Sequence, residues 1–91
     1  PVLEDLALVV DETVPAEHVA ALIRQTGGKL LRDVRLFDVF RSKQVGAGKV
    51  SLAYSLTYQS QEATLTDAEV KAVRQRIIRR LEQEIGAKLR S

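Results

Sequence analysis

The 91-residue chain has the composition of one soluble globular domain, with 45% hydrophobic and 29% charged residues. It contains no Cys, which excludes a disulfide framework and a cysteine metal site. No apolar run approaches the roughly 18 residues of a membrane span, and no signal-peptide pattern opens the sequence, so we expect a cytoplasmic domain without membrane contact. Because the sequence opens on Pro1 rather than Met, we expect residues 1–91 to be one domain excised from a longer chain.

Charge is distributed unevenly along the chain, although the net charge is only +2. Residues 1–28 carry five acidic residues and one basic residue, whereas residues 29–49 carry six basic residues and two acidic ones. A positive field around residues 29–49 would attract phosphates without specifying a base sequence. The same Lys and Arg residues would equally protect an exposed sheet edge from aggregation.

A strand and a helix are predicted in the first third of the chain. Residues 6–10 are apolar on both faces, which is typical of a central strand. Pro15 fits the first turn of a helix, whose apolar stripe has helical spacing and comprises Val19, Leu22, Ile23 and Thr26. Gly27 and Gly28 are predicted to end it. His18 lies beside the stripe, and the chain has no Cys and no second His, so we interpret it as a partly exposed helix residue rather than a catalytic or metal-binding one.

The middle of the chain predicts a β-hairpin, with arms at residues 34–41 and 50–58. The second arm alternates strictly between apolar residues and small or polar ones, which is the period of a strand with one buried face. Its apolar residues are Val50, Leu52, Tyr54, Leu56 and Tyr58. The first arm is the end of a long or bent strand from Leu30 to Phe40, and the arms are joined by a turn containing Gly46 and Gly48. This Gly-x-Gly is not followed by a helix, so it does not predict a nucleotide-binding loop.

The first arm carries an aromatic ring on each face. Phe37 and Val39 point one way and Asp38 and Phe40 point the other. The neighbouring arm offers no hydrophobic partner for Phe40. A ring and a carboxylate on an exposed sheet suit stacking and edge-reading of an unpaired base. In the alternative interpretation another part of the protein covers the ring, and Asp38 is a solvated surface charge.

A second helix and a short last strand complete the chain. Thr66 and Glu69 have the spacing of a capping box. The buried stripe that follows comprises Val70, Val73, Ile77, Leu81 and Ile85, and we expect the charged residues of this helix, Arg74 among them, to face solvent. After Gly86, residues 87–90 predict a strand with Leu89 inward and Arg90 on the opposite face.

These elements predict an α+β fold, a ferredoxin-like βαββαβ sandwich. It has a four-stranded antiparallel sheet with both helices on one face and with the first and third strands central. The uncovered side of the sheet, here called the open face, is predicted to carry Asp38, Phe40, Ser51, Ala53, Ser55, Thr57, Lys88 and Arg90. It is a surface rather than a catalytic pocket. Lys43 and Lys49 of the hairpin turn, with Arg41, are candidates to contact an RNA backbone.

Three classes of function compete at this point. The first is RNA binding on the open face. The second is a regulatory or dimerisation domain that binds a small molecule or a protein, because this topology serves many functions. The third is a small enzyme such as an acylphosphatase, but its phosphate loop and Arg-Asn pair are missing, since the chain contains no Asn.

The sequence resembles a known module, the ferredoxin-fold anticodon-binding domain at the C-terminus of the bacterial phenylalanyl-tRNA synthetase beta subunit. Five segments carry the resemblance in family order and spacing. They are residues 1–7, Leu-Phe-Asp-Val-Phe at 36–40, Lys-Val-Ser-Leu-Ala-Tyr at 49–54, Thr-Leu-Thr-Asp-Ala-Glu-Val at 64–70, and Gly-Ala-Lys-Leu-Arg at 86–90. The family usually has Arg-Asp where this chain has Glu4-Asp5, and Tyr where it has Phe40.

The resemblance implies binding of the tRNA(Phe) anticodon stem-loop, with Phe40 stacking on a base and Asp38 bonding a base edge. The positions in the family that correspond to Ser51 and Arg90 also face the anticodon. Ser55 lies on the same predicted face. The partners implied are the remainder of the beta subunit and the catalytic alpha subunit. No catalytic site and no cofactor are implied within this domain, while the parent ligase uses ATP and magnesium.

Overall fold

The computed structural model describes residues 1–62 and 64–90. In chain order its elements are β1 (Val2–Asp11), α1 (Ala16–Gly27), a short 3-10 turn (Gly28–Leu30), β2 (Leu31–Phe40), β3 (Lys49–Tyr58), α2 (Asp67–Ile85) and β4 (Lys88–Leu89). This order confirms the predicted βαββαβ arrangement. Residue 63, inside the link between β3 and α2, and Ser91, the last residue of the predicted domain, lie outside the described residues.

The strands form one antiparallel sheet in the order β2–β3–β1–β4. β1 and β3 pair without interruption over their whole length, from Val2 opposite Tyr58 to Asp11 opposite Lys49. β4 adds a short antiparallel pairing beside the second half of β1. The first and third strands are therefore central, as predicted, and β2 and β4 are the two edges of the sheet.

β2 is less regular than the other long strands. Its register against β3 shifts twice, which leaves Arg32 and Phe37 without a partner residue. An extra residue in one strand bends it and increases its twist. The prediction of a long or bent strand is thus confirmed, and the second irregularity falls within the predicted RNA-binding surface.

The hydrophobic core lies between the sheet and the two helices. All five alternating apolar residues of β3 are buried, and the two Tyr rings are fully inaccessible. The hydroxyl of Tyr54 donates to the main-chain oxygen of Ala16 at 2.8 Å, and that of Tyr58 donates to the Glu4 carboxylate at 3.2 Å. Burial, with Glu17 nearby, raises the pKa of Tyr54 to about 12. Both buried hydroxyls therefore have an acceptor, as buried polar groups require.

α1 presents its predicted stripe to this core. Val19, Leu22 and Ile23 are buried, and Pro15 occupies the N-cap position. The helix ends where Gly27 packs closely against the next strand, because a Cβ on Gly27 would lie 2.3 Å from a side-chain carbon of Leu31. Exposed His18 agrees with its interpretation as a surface residue.

α2 begins with the predicted capping box, in which Thr66 and Glu69 exchange hydrogen bonds with each other's backbone. The expectation that Arg74 faces solvent is wrong. Its guanidinium donates to the Glu4 carboxylate at 3.1 Å and to the main-chain oxygen of Asp5 at 3.3 Å, and its side chain is only 21% exposed. This ion pair joins α2 to the beginning of β1. Neither helix among the described residues is long and apolar enough to cross a membrane.

The last strand was predicted at residues 87–90, whereas β4 spans only Lys88–Leu89. Its backbone hydrogen bonding to β1 nevertheless extends to Arg90. The main-chain N–H of Arg90 donates to the oxygen of Ala7 at 2.7 Å. Leu89 pairs with buried Leu8 and so lies on the helix side, yet it remains 45% exposed. Leu89 therefore lies on the predicted, core-facing side of the sheet. Because β4 is an edge strand, much of its side chain is nevertheless exposed.

Candidate nucleic-acid interface

Strand register aligns the side chains of the open face in rows that cross the sheet, because directly paired residues of antiparallel strands point to the same face. One row contains Phe40, Ser51, Val9 and Lys88. The next row contains Asp38, Ala53 and Ala7, and it ends at Arg90, which hydrogen-bonds to Ala7. Phe40 and Asp38 thus lie at one edge of the sheet, and Lys88 and Arg90 lie at the other. Ser51 and Val9 separate the ends of the first row, and Ala53 and Ala7 separate those of the second.

The centre of this surface is a contact between Phe40 and Arg90. The guanidinium carbon of Arg90 lies 5.0 Å from the centroid of the Phe40 ring, within the range of a cation-π interaction. The two residues come from opposite edge strands, three strand spacings or about 14 Å apart. Their side chains therefore reach towards each other across the two central strands.

Phe40 remains partly accessible despite this contact, with 39% of its surface exposed. The sequence left two possibilities for the Phe40 ring, exposure to solvent or coverage by another part of the protein, and each is partly correct. Another part of the chain, Arg90, covers some of the ring, and the rest is open to solvent. Planar guanidinium and aromatic groups are the two kinds of side chain on which unpaired bases stack.

Ser51 lies on the open face, as the alternation predicts, but only 4% of it is exposed. Its row neighbours are Val9 and Phe40, both larger than serine, and the Phe40–Arg90 contact crosses the same part of the sheet. The sequence-based picture of an accessible serine is wrong for this structure, because alternation identifies a face and not what covers it. Its role in binding stays a prediction.

The bulge at Phe37 places Asp38 and Phe40 on the open face. Earlier in β2, Val34 and Leu36 pair with buried residues of β3 and so lie on the helix side. Strict alternation from Val34 would put Asp38 and Phe40 on that side too. The unpaired Phe37 changes the parity, and Asp38 then lies opposite Ala53, exposed on the open face.

Because of the same change of parity, Arg35 also lies on the open face, where the sequence did not predict it. Arg35 pairs with Ser55, which in turn pairs with Asp5, so these three residues form a further row of the open face. Ser55 is half-buried and Arg35 is exposed. From the sequence, Arg35 is predicted only to contribute to the positive charge of residues 29–49. The sequence contains no signal for the bulge that would have identified it.

The three basic candidates of the hairpin region have different surroundings. Arg41 and Lys43 follow the end of β2 and are exposed. Lys49 begins β3, and its Nζ lies 4.0 Å from an Oδ of Asp11. Hydrogen bonds from the backbone N–H and hydroxyl of Thr13 hold the pKa of Asp11 below its usual value, and Lys49 adds to this effect. Because Lys49 has an acidic neighbour, Lys43 offers the better-placed charge for a phosphate.

The arrangement can stack flat groups, accept hydrogen bonds from a base edge through Asp38, and attract phosphates. Among the residues that the structure describes, no three His, Cys, Asp or Glu side chains converge to hold a metal ion. The fold and this surface together define a ferredoxin-like sheet module with an open face equipped for a planar, negatively charged ligand.

Comparison with known sequences identifies the family. Residues 1–90 match the ferredoxin-fold anticodon binding domain, and the chain belongs to that family. It is 56% identical over 86 residues to the phenylalanine-tRNA ligase beta subunit of Moorella thermoacetica and 49% identical over 86 residues to that of Clostridium tetani. The subunit of Corynebacterium efficiens is 47% identical over 87 residues.

The matched region is a small part of these relatives. The alignments cover 94 to 96% of this chain, but the chain spans only about a tenth of the length of the relatives, 10 to 11% in each case. The comparison thus confirms the predicted family and the ferredoxin-like fold.

Proposed function

We propose that this domain binds the anticodon loop of phenylalanine tRNA on its open face and thereby supports aminoacylation by a parent phenylalanine-tRNA ligase. The observation that carries the proposal is the partly exposed Phe40 ring, with Arg90 against it and Asp38 in the next row. Family membership supplies the class of ligand, since the family is one of anticodon-binding domains.

Each proposed contact follows from the chemistry of its residue. A base stacks on the Phe40 ring or on the guanidinium of Arg90, and the Asp38 carboxylate accepts a hydrogen bond from an amino or imino group of a base. Ser51 is only 4% exposed in the free domain, so a contact between its hydroxyl and the RNA requires the neighbouring side chains to move. Ser55 lies one row further along the face, beside Arg35.

Phosphates of the loop are attracted by the basic residues at the margins of the open face. Arg41, Lys43 and Lys49 lie near the Phe40 end, and Lys88 shares the row of Phe40. These contacts supply affinity that is sensitive to salt and insensitive to base sequence. The remainder of the beta subunit and the alpha subunit are the proposed protein partners, and ATP and magnesium act at the distant catalytic centre rather than in this domain.

Replacing Phe40 by Ala tests the stacking contact. We expect Phe40→Ala to weaken binding of the tRNA(Phe) anticodon stem-loop by about 1 to 3 kcal/mol, the value of one stacked base, or about 5- to 150-fold. Fluorescence anisotropy with a labelled stem-loop at moderate salt measures the change. Circular dichroism of each variant shows whether the fold is retained.

Leu3→Ala is the matched control for this experiment. Leu3 is 72% exposed and pairs with Thr57, so it lies on the open face, but it is six positions along β1 from Val9, the β1 residue of the Phe40 row. That separation is about 20 Å along the strand. Equal losses for the two variants would show that binding depends on general apolar surface rather than on the Phe40 site.

A further inference from the structure

One row of the open face carries a guanidinium and a carboxylate on either side of a hydroxyl. Arg35 pairs with Ser55, and Ser55 pairs with Asp5, so the three side chains share this face. They are called here the Arg35 row. Arg35 and Asp5 are exposed, and Ser55 is half-buried between them. The row lies next to that of Asp38, on the side away from the hairpin turn.

The two charged side chains of the Arg35 row are not paired with each other. Because β3 lies between their strands, their backbones are two strand spacings, or about 10 Å, apart. In the part of the chain that the structure describes, no ion pair includes Arg35 or Asp5. The donors of the guanidinium and the acceptors of the carboxylate are therefore available to a ligand that lies over Ser55.

The charges around Arg35 argue against a phosphate as that ligand. Asp38 lies one row towards the hairpin turn and Asp33 one row away from it, and both are exposed on the open face. With Asp5, three carboxylates thus neighbour one guanidinium. Arg90, the other cation of these rows, lies at the opposite edge of the sheet. The local charge is negative, so an anionic phosphate is repelled here, whereas a neutral base is not.

A nucleobase has the hydrogen-bonding groups that complement the Arg35 row. Base edges carry carbonyl and ring-nitrogen acceptors beside amino and imino donors. The guanidinium fork donates two bonds to paired acceptors of a base, while a carboxylate accepts from an amino or imino group. The hydroxyl of Ser55 can donate or accept. A base over Ser55 would therefore find a complementary group on each side.

We infer that the Arg35 row is a second base-reading site of the open face, which binds a loop base other than the one stacked at Phe40. This inference rests on the proposed function, since it takes the open face to bind an anticodon loop. Four residues of β3 separate Ser55 from Ser51, which pairs with Phe40, so the two sites are about 14 Å apart. Splayed bases of a single-stranded loop can occupy both sites at once.

Two substitutions of Arg35 distinguish base reading from simple charge. We expect Arg35→Ala to weaken binding of the tRNA(Phe) anticodon stem-loop at least about fivefold, the lower value of a bidentate contact to a base. Arg35→Lys keeps the charge but not the planar fork, so we expect a similar loss. Recovery of full affinity by Lys would assign Arg35 to a phosphate and overturn the inference. Arg79→Ala is the matched control, because it removes an exposed arginine of α2 and should leave affinity unchanged.

The effect of Asp5→Asn differs in sign between recognition and repulsion. A carboxylate that only repelled RNA would strengthen binding when removed, whereas one that accepts a hydrogen bond from a base weakens it. We expect affinity to fall at least about twofold. Asp33→Asn removes the same charge from the next row and should not weaken binding. Unchanged or increased affinity of Asp5→Asn would contradict the site as proposed.

Stem-loops with one abasic loop position at a time identify the base that each site binds. The loss caused by Arg35→Ala should disappear with one abasic loop, and the loss caused by Phe40→Ala with a different one, because only groups in contact are coupled. Coupling of both residues to the same base, or of Arg35 to none, would overturn the inference. If Phe40→Ala is also without effect, the proposed function fails as well. Circular dichroism shows whether each variant retains the fold.

Discussion

Phe40 and Arg90 are in contact with each other in the free domain. The 5.0 Å contact between guanidinium and ring restricts two side chains that would otherwise sample several rotamers. A base that stacks here therefore meets side chains that are already partly ordered, which lowers the entropy cost of binding. Ser51, which pairs with Phe40 in the sheet, is only 4% exposed, so recognition that involves this serine requires a side-chain rearrangement.

A prediction at the residue scale concerns Lys43, an exposed residue of the hairpin turn. We expect Lys43→Ala to lower affinity for the anticodon stem-loop modestly and mainly at low salt. Loss of one phosphate contact reduces the slope of log K against log salt concentration by about 0.7. Binding titrations at several salt concentrations measure this slope for the variant and the parent domain.

Lys71→Ala provides the comparison for that slope. Lys71 is also exposed, but it lies on α2, which covers the opposite side of the sheet. We expect its removal to leave the slope unchanged. A similar decrease for both variants would mean that the hairpin lysine acts only through the net charge of the domain.

At the scale of elements, the sequence predicted the core-facing residues of β3 correctly and β2 only in part. Strict alternation in β3 identified its buried residues because one face meets the core along the whole strand. In β2 the face of Asp38 and Phe40 depends on the bulge at Phe37, which is set by pairing with β3 rather than by a local pattern. The assignment of both residues to the open face was correct, while Arg35 was overlooked for the same reason.

The solvent exposure of two residues depends on tertiary contacts, and local sequence patterns did not predict it. Arg74 was predicted to face solvent, but it pairs with Glu4, which is distant in sequence. Ser51 was assigned to the right face, but it is only 4% exposed, and the alternation of β3 does not predict that burial. The capping box of α2 was predicted fully, since all of its interactions lie within four residues.

The capping box gives a prediction at the element scale. Thr66→Ala removes the hydroxyl that accepts the Glu69 N–H at 3.1 Å, and we expect the free energy of unfolding to fall by about 1 kcal/mol. Urea denaturation followed by circular dichroism measures the change. Thr64→Ala serves as the control, because Thr64 is exposed and precedes the helix. An equal effect of both substitutions would contradict the assigned cap.

At the scale of the whole molecule, two buried Tyr residues of β3 connect the sheet to the other layers. Tyr54 bonds to the first residue of α1, and Tyr58 bonds to Glu4, which also accepts from Arg74 of α2. Burial raises the pKa of both hydroxyls above the ordinary value of 10, and for Tyr58 the Glu4 charge adds to the effect. Ionisation of either ring is therefore unfavourable in the folded state.

These raised pKa values predict a loss of stability in alkali. The unfolded chain ionises its Tyr residues near pH 10, whereas folded Tyr54 does so at about 12. The stabilisation from the neutral hydroxyls is thus fully present below about pH 10 and decreases as the pH rises towards 12. Urea midpoints across this range should fall, and Tyr54→Phe should be less stable at neutral pH but less sensitive to alkali. Midpoints independent of pH would contradict the assignment.

The central claim is that the open face reads the anticodon, and one NMR experiment tests it most directly. Backbone amide shifts are followed while the tRNA(Phe) anticodon stem-loop, or a loop with a changed anticodon, is added to the domain. The account predicts shifts concentrated at Asp38, Phe40, Ser51, Ser55 and Arg90, with the anticodon change reducing those near Asp38 most. Shifts confined to α1 and α2, or identical shifts with both loops, would contradict it.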